Sequence, residues 1–233
     1  MRMLLSTWGS RGDVEPMLAL AVQLRAQGVD VRICAPPDFA EHVARIGVPM
    51  IAAGKSVRDL VHGVAASGTK PSTPADAPRV AAMLVDSQFE TVAPAAEGCD
   101  ALVATGLMPA GLPSIAESLG IHYACVAFMP GVLPSPHQTP LSRPGRPFPP
   151  DATNTVMWDV DAERVQALYG APLNAHRAAL GLPPVTTFVT TSTPTGHFWR
   201  PTRPSPHGPV RPNWMSCRRA RGFCPTRAHC QRS

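Results

Sequence analysis

No apolar run in the chain reaches the roughly 18 to 20 residues that a membrane-spanning helix requires. The opening MRMLLSTWGS turns polar too early for a secretory signal. These absences predict a cytoplasmic protein. Charge is sparse, at 16% of 233 residues, and after Thr186 there is no lysine, aspartate or glutamate. That last stretch holds eight arginines and seven prolines, whereas Met1 to Thr186 holds 13 basic residues against 16 acidic ones. The formal charge of +5 therefore belongs to a mildly acidic body with a strongly basic tail. The body has three cysteines, Cys34, Cys99 and Cys125, far apart and in apolar settings, which excludes a paired-cysteine metal site and predicts reduced core residues.

What is present is an alternation of strand and helix patterns. Met3 to Thr7 is a short apolar run that ends in the loop WGSRGD, and Val14 to Gln27 follows with helical spacing of Met17, Leu20, Ala21 and Leu24. Val29 to Cys34 alternates as a strand, Asp38 is placed to cap a helix that Gly47 ends, and Val48 to Ala52 reads as a third strand. Val57 to Ala77 weakens into small and polar residues, and part of it reads as a mobile loop. Arg79 to Ala96 is helical, with Val80, Met83, Leu84, Phe89 and Val92 as its buried side. Ala101 to Thr105 and Tyr123 to Phe128 read as strands around a helix over Ser114 to Leu119. Eight prolines between 130 and 150 exclude helix and sheet interior there. A last helix runs from Asp159 to Leu180 and stops at Gly181. The expected fold class is α/β, a doubly wound parallel sheet over residues 1–186, followed by a disordered tail at 187–233.

In an open parallel sheet ligands gather at the carboxyl ends of the strands, so the loop Gly9-Ser10-Arg11-Gly12-Asp13 is the leading candidate site. Gly9 and Gly12 permit a tight turn and close backbone approach, with Arg11 between them. The spacing is not G-x-G-x-x-G, and the lysine of a P-loop is absent, so neither a dinucleotide nor a P-loop reading is supported. Asp13 has two readings that do not exclude each other, an N-cap supported by Glu15 and Pro16 in a first helical turn, or a catalytic carboxylate.

The stretch LLSTWGSRGDVEPMLALAVQLRAQG, with VRICAPPDFAEHVARIGVPM, AAEGCDALVATGLMPAG, SIAESLGI and LNAHRAALGLPPV, resembles nucleotide-sugar-dependent glycosyltransferases of the glycopeptide-antibiotic type. The resemblance covers nearly all of Met1 to Val185. It implies the Rossmann-like N-terminal, acceptor-binding domain of a GT-B fold, acting as a monomer on a glycopeptide aglycone with a UDP- or dTDP-sugar as co-substrate and no bound cofactor or metal. By the same match Asp13 is the general base, and Ser10 and the backbone of Gly12 position the acceptor. The proline-rich segment corresponds to an acceptor-side loop, with His137 and Phe148 as contacts. Trp8 stands where the group has a small residue, which narrows the crevice. The donor-binding residues belong to a second domain that the resemblance does not reach, so the chain as written is expected not to transfer sugar alone. A non-catalytic acceptor-binding module is the alternative.

The resemblance stops at Val185. Beyond it, the codons that the amino acids permit can be read in a shifted frame as two strings characteristic of the group's interdomain region. The tail is therefore expected to be an out-of-frame translation. Cys217, Cys224, Cys230 and His229 match no standard zinc spacing, and the arginines lack the aromatic interleaving of a nucleic-acid site, so no specific nucleic-acid partner is expected.

Overall fold

Five parallel strands form one sheet in the order β3-β2-β1-β4-β5, in a computed structural model that describes residues 1–58, 77–106, 109–141 and 147–186. The expectations of a mobile loop within 57–77 and of a disordered, frame-shifted tail fall almost wholly outside those residues. The strands are β1 (Arg2–Trp8), β2 (Asp30–Ala35), β3 (Met50–Ala52), β4 (Ala101–Gly106) and β5 (His122–Cys125). Their registers pair Leu5 with Ile33 on one side and with Val103 on the other. The sequence therefore runs outward from β1 to one edge, returns, and runs outward again from β4. The reversal leaves a crevice between the carboxyl ends of β1 and β4, where open α/β sheets place their ligands.

Helix α1 (Arg11–Ala26) and α2 (Ala40–Ile46) cover one face. Leu5, Ile33 and Val103 there meet Val14, Met17, Ala21 and Val43. Helix α3 (Ala77–Ser87) leads into a π-helical turn (Gln88–Val92), which with α4 (Ala93–Ala96) and α5 (Leu112–Leu119) covers the opposite face. Leu4, Leu102 and Ala104 pack there against Val92, Ala96 and Ile115. Each fully buried Leu, Ile or Met contributes about 1.5–3 kcal/mol, which explains why strand residues of both parities are apolar. The long α6 (Asn154–Ala179) lies outside this layer, where Val165, Tyr169 and Leu173 meet Ala81 and Val85 of α3.

Several local readings change. Helix α1 starts three residues before Val14, because Ser10 is the N-cap and not Asp13. Pro16 therefore sits in the second turn and not the first. Asp38 does not cap α2; it lies in the 3₁₀ turn Pro37–Phe39, and its carboxylate accepts hydrogen bonds from Ser56 Oγ at 2.7 Å and from the backbone N–H groups of Val57 and Arg58. The buried stripe of α3 is turned from that expected, since Ala81 and Val85 are buried while Val80 is exposed; α6 covers the Ala81 side. Strand β5 ends at Cys125 and not at Phe128, whose side chain is exposed, and Cys125 is half-buried while Cys34 and Cys99 are core residues. Helix α6 begins five residues before Asp159, where Thr153 Oγ1 accepts the Val156 N–H.

The end of the described chain is tied back to α6. Arg177, 5% exposed, donates to Pro183 O, Ser114 Oγ and Glu117 Oε2 at 2.7–2.8 Å. Asn174 bonds both backbone groups of Val185, donating to its carbonyl at 3.0 Å and accepting its N–H at 2.8 Å.

Candidate functional site

The loop after β1 opens directly onto the crevice. Ser10 is extended at the N-cap, and its carbonyl accepts the N–H groups of Asp13 and Val14 at 3.0 and 3.1 Å. The Asp13 side chain turns back on Ser10. Its Oδ2 accepts the Ser10 backbone N–H at 2.9 Å and the Ser10 hydroxyl at 3.4 Å. This is the return arm of a capping box, with Asp13 at the third helical position. Both bonds fall on Oδ2, and among the described residues Oδ1 accepts none.

Gly9 makes this geometry possible. A Cβ on Gly9 would run into the Asp13 carboxylate, so the residue there can only be glycine while the carboxylate is in place. Gly12 lies exposed in the first turn. Because Pro16 has no N–H, the intrahelical bond that the Gly12 carbonyl would otherwise accept from position 16 is missing. The helix therefore offers a carbonyl acceptor one residue from the carboxylate. Arg11 reaches along the helix to Glu15 at 3.2 Å. Glu15 in turn bonds His42 at 3.1 Å, and that bond holds its carboxyl below the usual range.

Next to this loop, on the side of the π-helical turn and α5, lies a small solvent-open recess. Ser6, Trp8 and Thr105 border it from the strand ends, Gly54 from the turn after β3, and Gln88 and Leu112 from the helices. None of the described residues that line it is charged. The π-helical turn delivers Gln88 to this edge; its Oε1 accepts the Gly111 N–H at 2.6 Å. The Trp8 indole is held by a bond from Nε1 to Lys55 O at 3.2 Å and borders the recess.

Ser10, Gly12 and Asp13 thus meet on one helical turn with Gly9 and Arg11. His137 and Phe148 do not border the recess. His137 is exposed in a turn where its backbone N–H bonds Ser135 Oγ at 3.1 Å. Phe148 lies under the Arg164 guanidinium at 4.9 Å. Their segment is pinned to α6, since Asn154 donates to Pro136 O, Trp158 Nε1 to Gln138 O and Arg164 to Pro147 O. The sequence reading missed Ser6, Thr105 and Gln88. The first two carried a signal, as polar residues closing apolar strands; Gln88 carried none, because the π-helical turn has no pattern of its own.

Among the described residues no group of three His, Cys, Asp or Glu could hold a metal ion, and no described helix is long and apolar enough to cross a membrane. Sheet order, crevice and helix-borne carboxylate define the class, a doubly wound domain with a ligand crevice at its topological switch point. Residues 3–135 match the glycosyltransferase family 28 N-terminal domain, and the chain belongs to that family. It is 47% identical over 188 residues to glycosyltransferase GtfE of Amycolatopsis orientalis, covering 79% of this chain and 45% of the relative. Against the vancomycin aglycone glucosyltransferase of the same organism the identity is 43% over 202 residues, covering 85% and 48%. The chain thus spans about half the length of the curated relatives it matches. The crystal structure of SsfS6, a glycosyltransferase of Streptomyces sp. SF2575, shares the fold with a TM-score of 0.50 at 20% identity, over 79% of this chain and 47% of that one.

Proposed function

We propose that this chain is the acceptor-binding half of a glycosyltransferase that moves a sugar from a UDP- or dTDP-sugar to a hydroxyl of a glycopeptide aglycone, with inversion at the anomeric carbon. The observation that carries the reading is the Asp13 carboxylate, held by Ser10 at the mouth of the switch-point crevice with Oδ1 unencumbered. The similarity to a vancomycin aglycone glucosyltransferase supports the acceptor class.

In this reading Asp13 takes the proton of the acceptor hydroxyl as its oxygen attacks the anomeric carbon. The bond from that carbon to the diphosphate breaks, and the nucleoside diphosphate leaves with the electron pair. A carboxylate is a weak base, so proton transfer is concerted with attack and needs the hydroxyl within hydrogen-bond reach. The Gly12 carbonyl and the Ser10 hydroxyl supply that positioning. Transfer also requires the donor diphosphate held in line across the crevice, which is a task for the other half of the relatives' length. This chain therefore binds acceptor and alone transfers no sugar. Calorimetric titration with vancomycin aglycone tests the binding, and incubation of chain, aglycone and UDP-glucose tests the rest. Saturable binding without product is expected; absent binding, or robust turnover, sinks the reading.

A further inference from the structure

Five large apolar side chains stand exposed in one short segment after β5: Phe128 at 43%, Met129 at 52%, Val132 and Leu133 at 37% each, and Leu141 at 52%. Prolines at 130, 134, 136 and 140 interrupt that segment, and a residue without an N–H can neither continue a helix nor join a sheet interior. The segment therefore stays on the surface with its apolar side chains.

It is nonetheless braced. The returning arm meets the 3₁₀ turn Pro130–Val132, where a Cβ on Gly131 would come within 3.3 Å of Leu141 Cδ2. Gln138 Nε2 donates to Leu133 O at 3.2 Å, and α6 grips the arm through Asn154 to Pro136 O and Trp158 Nε1 to Gln138 O, each at 2.9 Å. From 128 to 141 there is no Asp, Glu, Lys or Arg. A cluster of apolar side chains held outward on a fixed turn marks a contact surface.

The charge of the chain indicates the partner. Residues 1–186 carry 13 basic groups against 16 acidic ones and have no net attraction for an anionic surface, whereas residues 187–233 carry eight arginines and no acidic residue. Apolar side chains that enter a headgroup layer bind weakly by themselves, and a polybasic segment is drawn to anionic lipid; stable attachment takes two such signals. This chain has both. We propose that residues 128–141 form a membrane-contact surface, whose apolar side chains enter the headgroup layer of an anionic bilayer to which the arginines after Thr186 bring the chain. Attachment of this kind lies on the membrane and needs no spanning helix. It is independent of the acceptor reading.

The test mixes the full chain with vesicles of phosphatidylcholine alone and of phosphatidylcholine and phosphatidylglycerol in equal parts, and measures bound protein by sedimentation. Wild type is compared with Met129→Ser and with the triple variant Phe128→Ser, Met129→Ser, Leu141→Ser, and thermal midpoints are recorded for all three. Wild type is expected to bind the mixed vesicles more tightly than phosphatidylcholine, and less tightly at high salt. Met129→Ser weakens that binding about threefold and the triple variant about tenfold or more, with midpoints close to wild type because the side chains are exposed. Should the triple variant lose its thermal transition, Met129→Ser decides alone. Equal binding by wild type and variants reduces the effect to salt-sensitive adhesion of the arginines to any polyanion, nucleic acid included, and overturns the surface. Failure of wild type to bind the mixed vesicles, or equal binding to phosphatidylcholine alone, overturns the anionic bilayer as its partner.

Discussion

The backbone N–H of Ser10 donates to Oδ2 of Asp13 at 2.9 Å, so one carboxylate both closes the start of α1 and faces the crevice. One oxygen of the carboxylate is taken up by the cap, which leaves the other for the base role proposed above. Gly9 enforces the arrangement, and Gly9→Ala is expected to displace the carboxylate and cost about 1–3 kcal/mol of stability. Asp13→Asn keeps an oxygen acceptor for the Ser10 N–H and is expected to cost less than about 1 kcal/mol. Urea denaturation of both variants measures the difference; a Gly9→Ala curve that overlays wild type contradicts the geometry.

Thr7 gives a prediction of opposite sign. It is 2% exposed, and its hydroxyl has no hydrogen-bond partner among the described residues. A buried hydroxyl without a partner is a desolvation cost and not a gain. Thr7→Val, of similar shape, is expected to leave stability unchanged or raise it by up to about 1 kcal/mol. Destabilisation by more than that in urea would show that the hydroxyl is bonded.

Asp38 sets an acid limit on the turn after β3. Burial raises its carboxyl pKa, but the hydrogen bonds from Ser56, Val57 and Arg58 outweigh that and hold it below the usual carboxylate range. A lowered folded-state pKa means stability that is present above the unfolded value and is lost as pH falls through the folded one. Thermal midpoints should therefore drop below about pH 4 with a component that Asp38→Asn lacks. Parallel midpoint-against-pH curves for the two proteins would refute the assignment.

Arg177 is the buried charge on which the outer helix depends. Arg177→Leu strands the Glu117 carboxylate and the Pro183 carbonyl, with an expected loss of about 3 kcal/mol. Chemical denaturation measures it, and a loss under about 1 kcal/mol would mean that water replaces the guanidinium without penalty.

The strands were legible because burial on both faces writes continuous apolar runs, as in Leu4-Leu5 and Ala101 to Ala104. The site loop was legible for the same reason, since Gly9 to Asp13 interrupts such a run just before a helix. What failed was one step finer. Asp13 read as an N-cap, and only the backbone at Ser10, extended with ψ of −176°, shows that the cap is Ser10 and Asp13 its third-position partner. Val80 was mistaken for core because the partner of α3 is α6, about 80 residues later in the chain, and no local period records which side a distant helix will cover. Ser6, Gly54 and Gln88 meet only through the crossovers, so their neighbourhood cannot be seen along the sequence.

Asn174 grips both backbone groups of Val185, as a neighbouring strand would, and Arg177 clamps the carbonyl two residues earlier. The polypeptide thus leaves the sheet domain through a riveted joint. Residues 183–185 are thereby tied to α6, and α6 through Arg177 to α5, so the last described turn is held to the domain that carries Asp13 by side chains and not by sheet pairing.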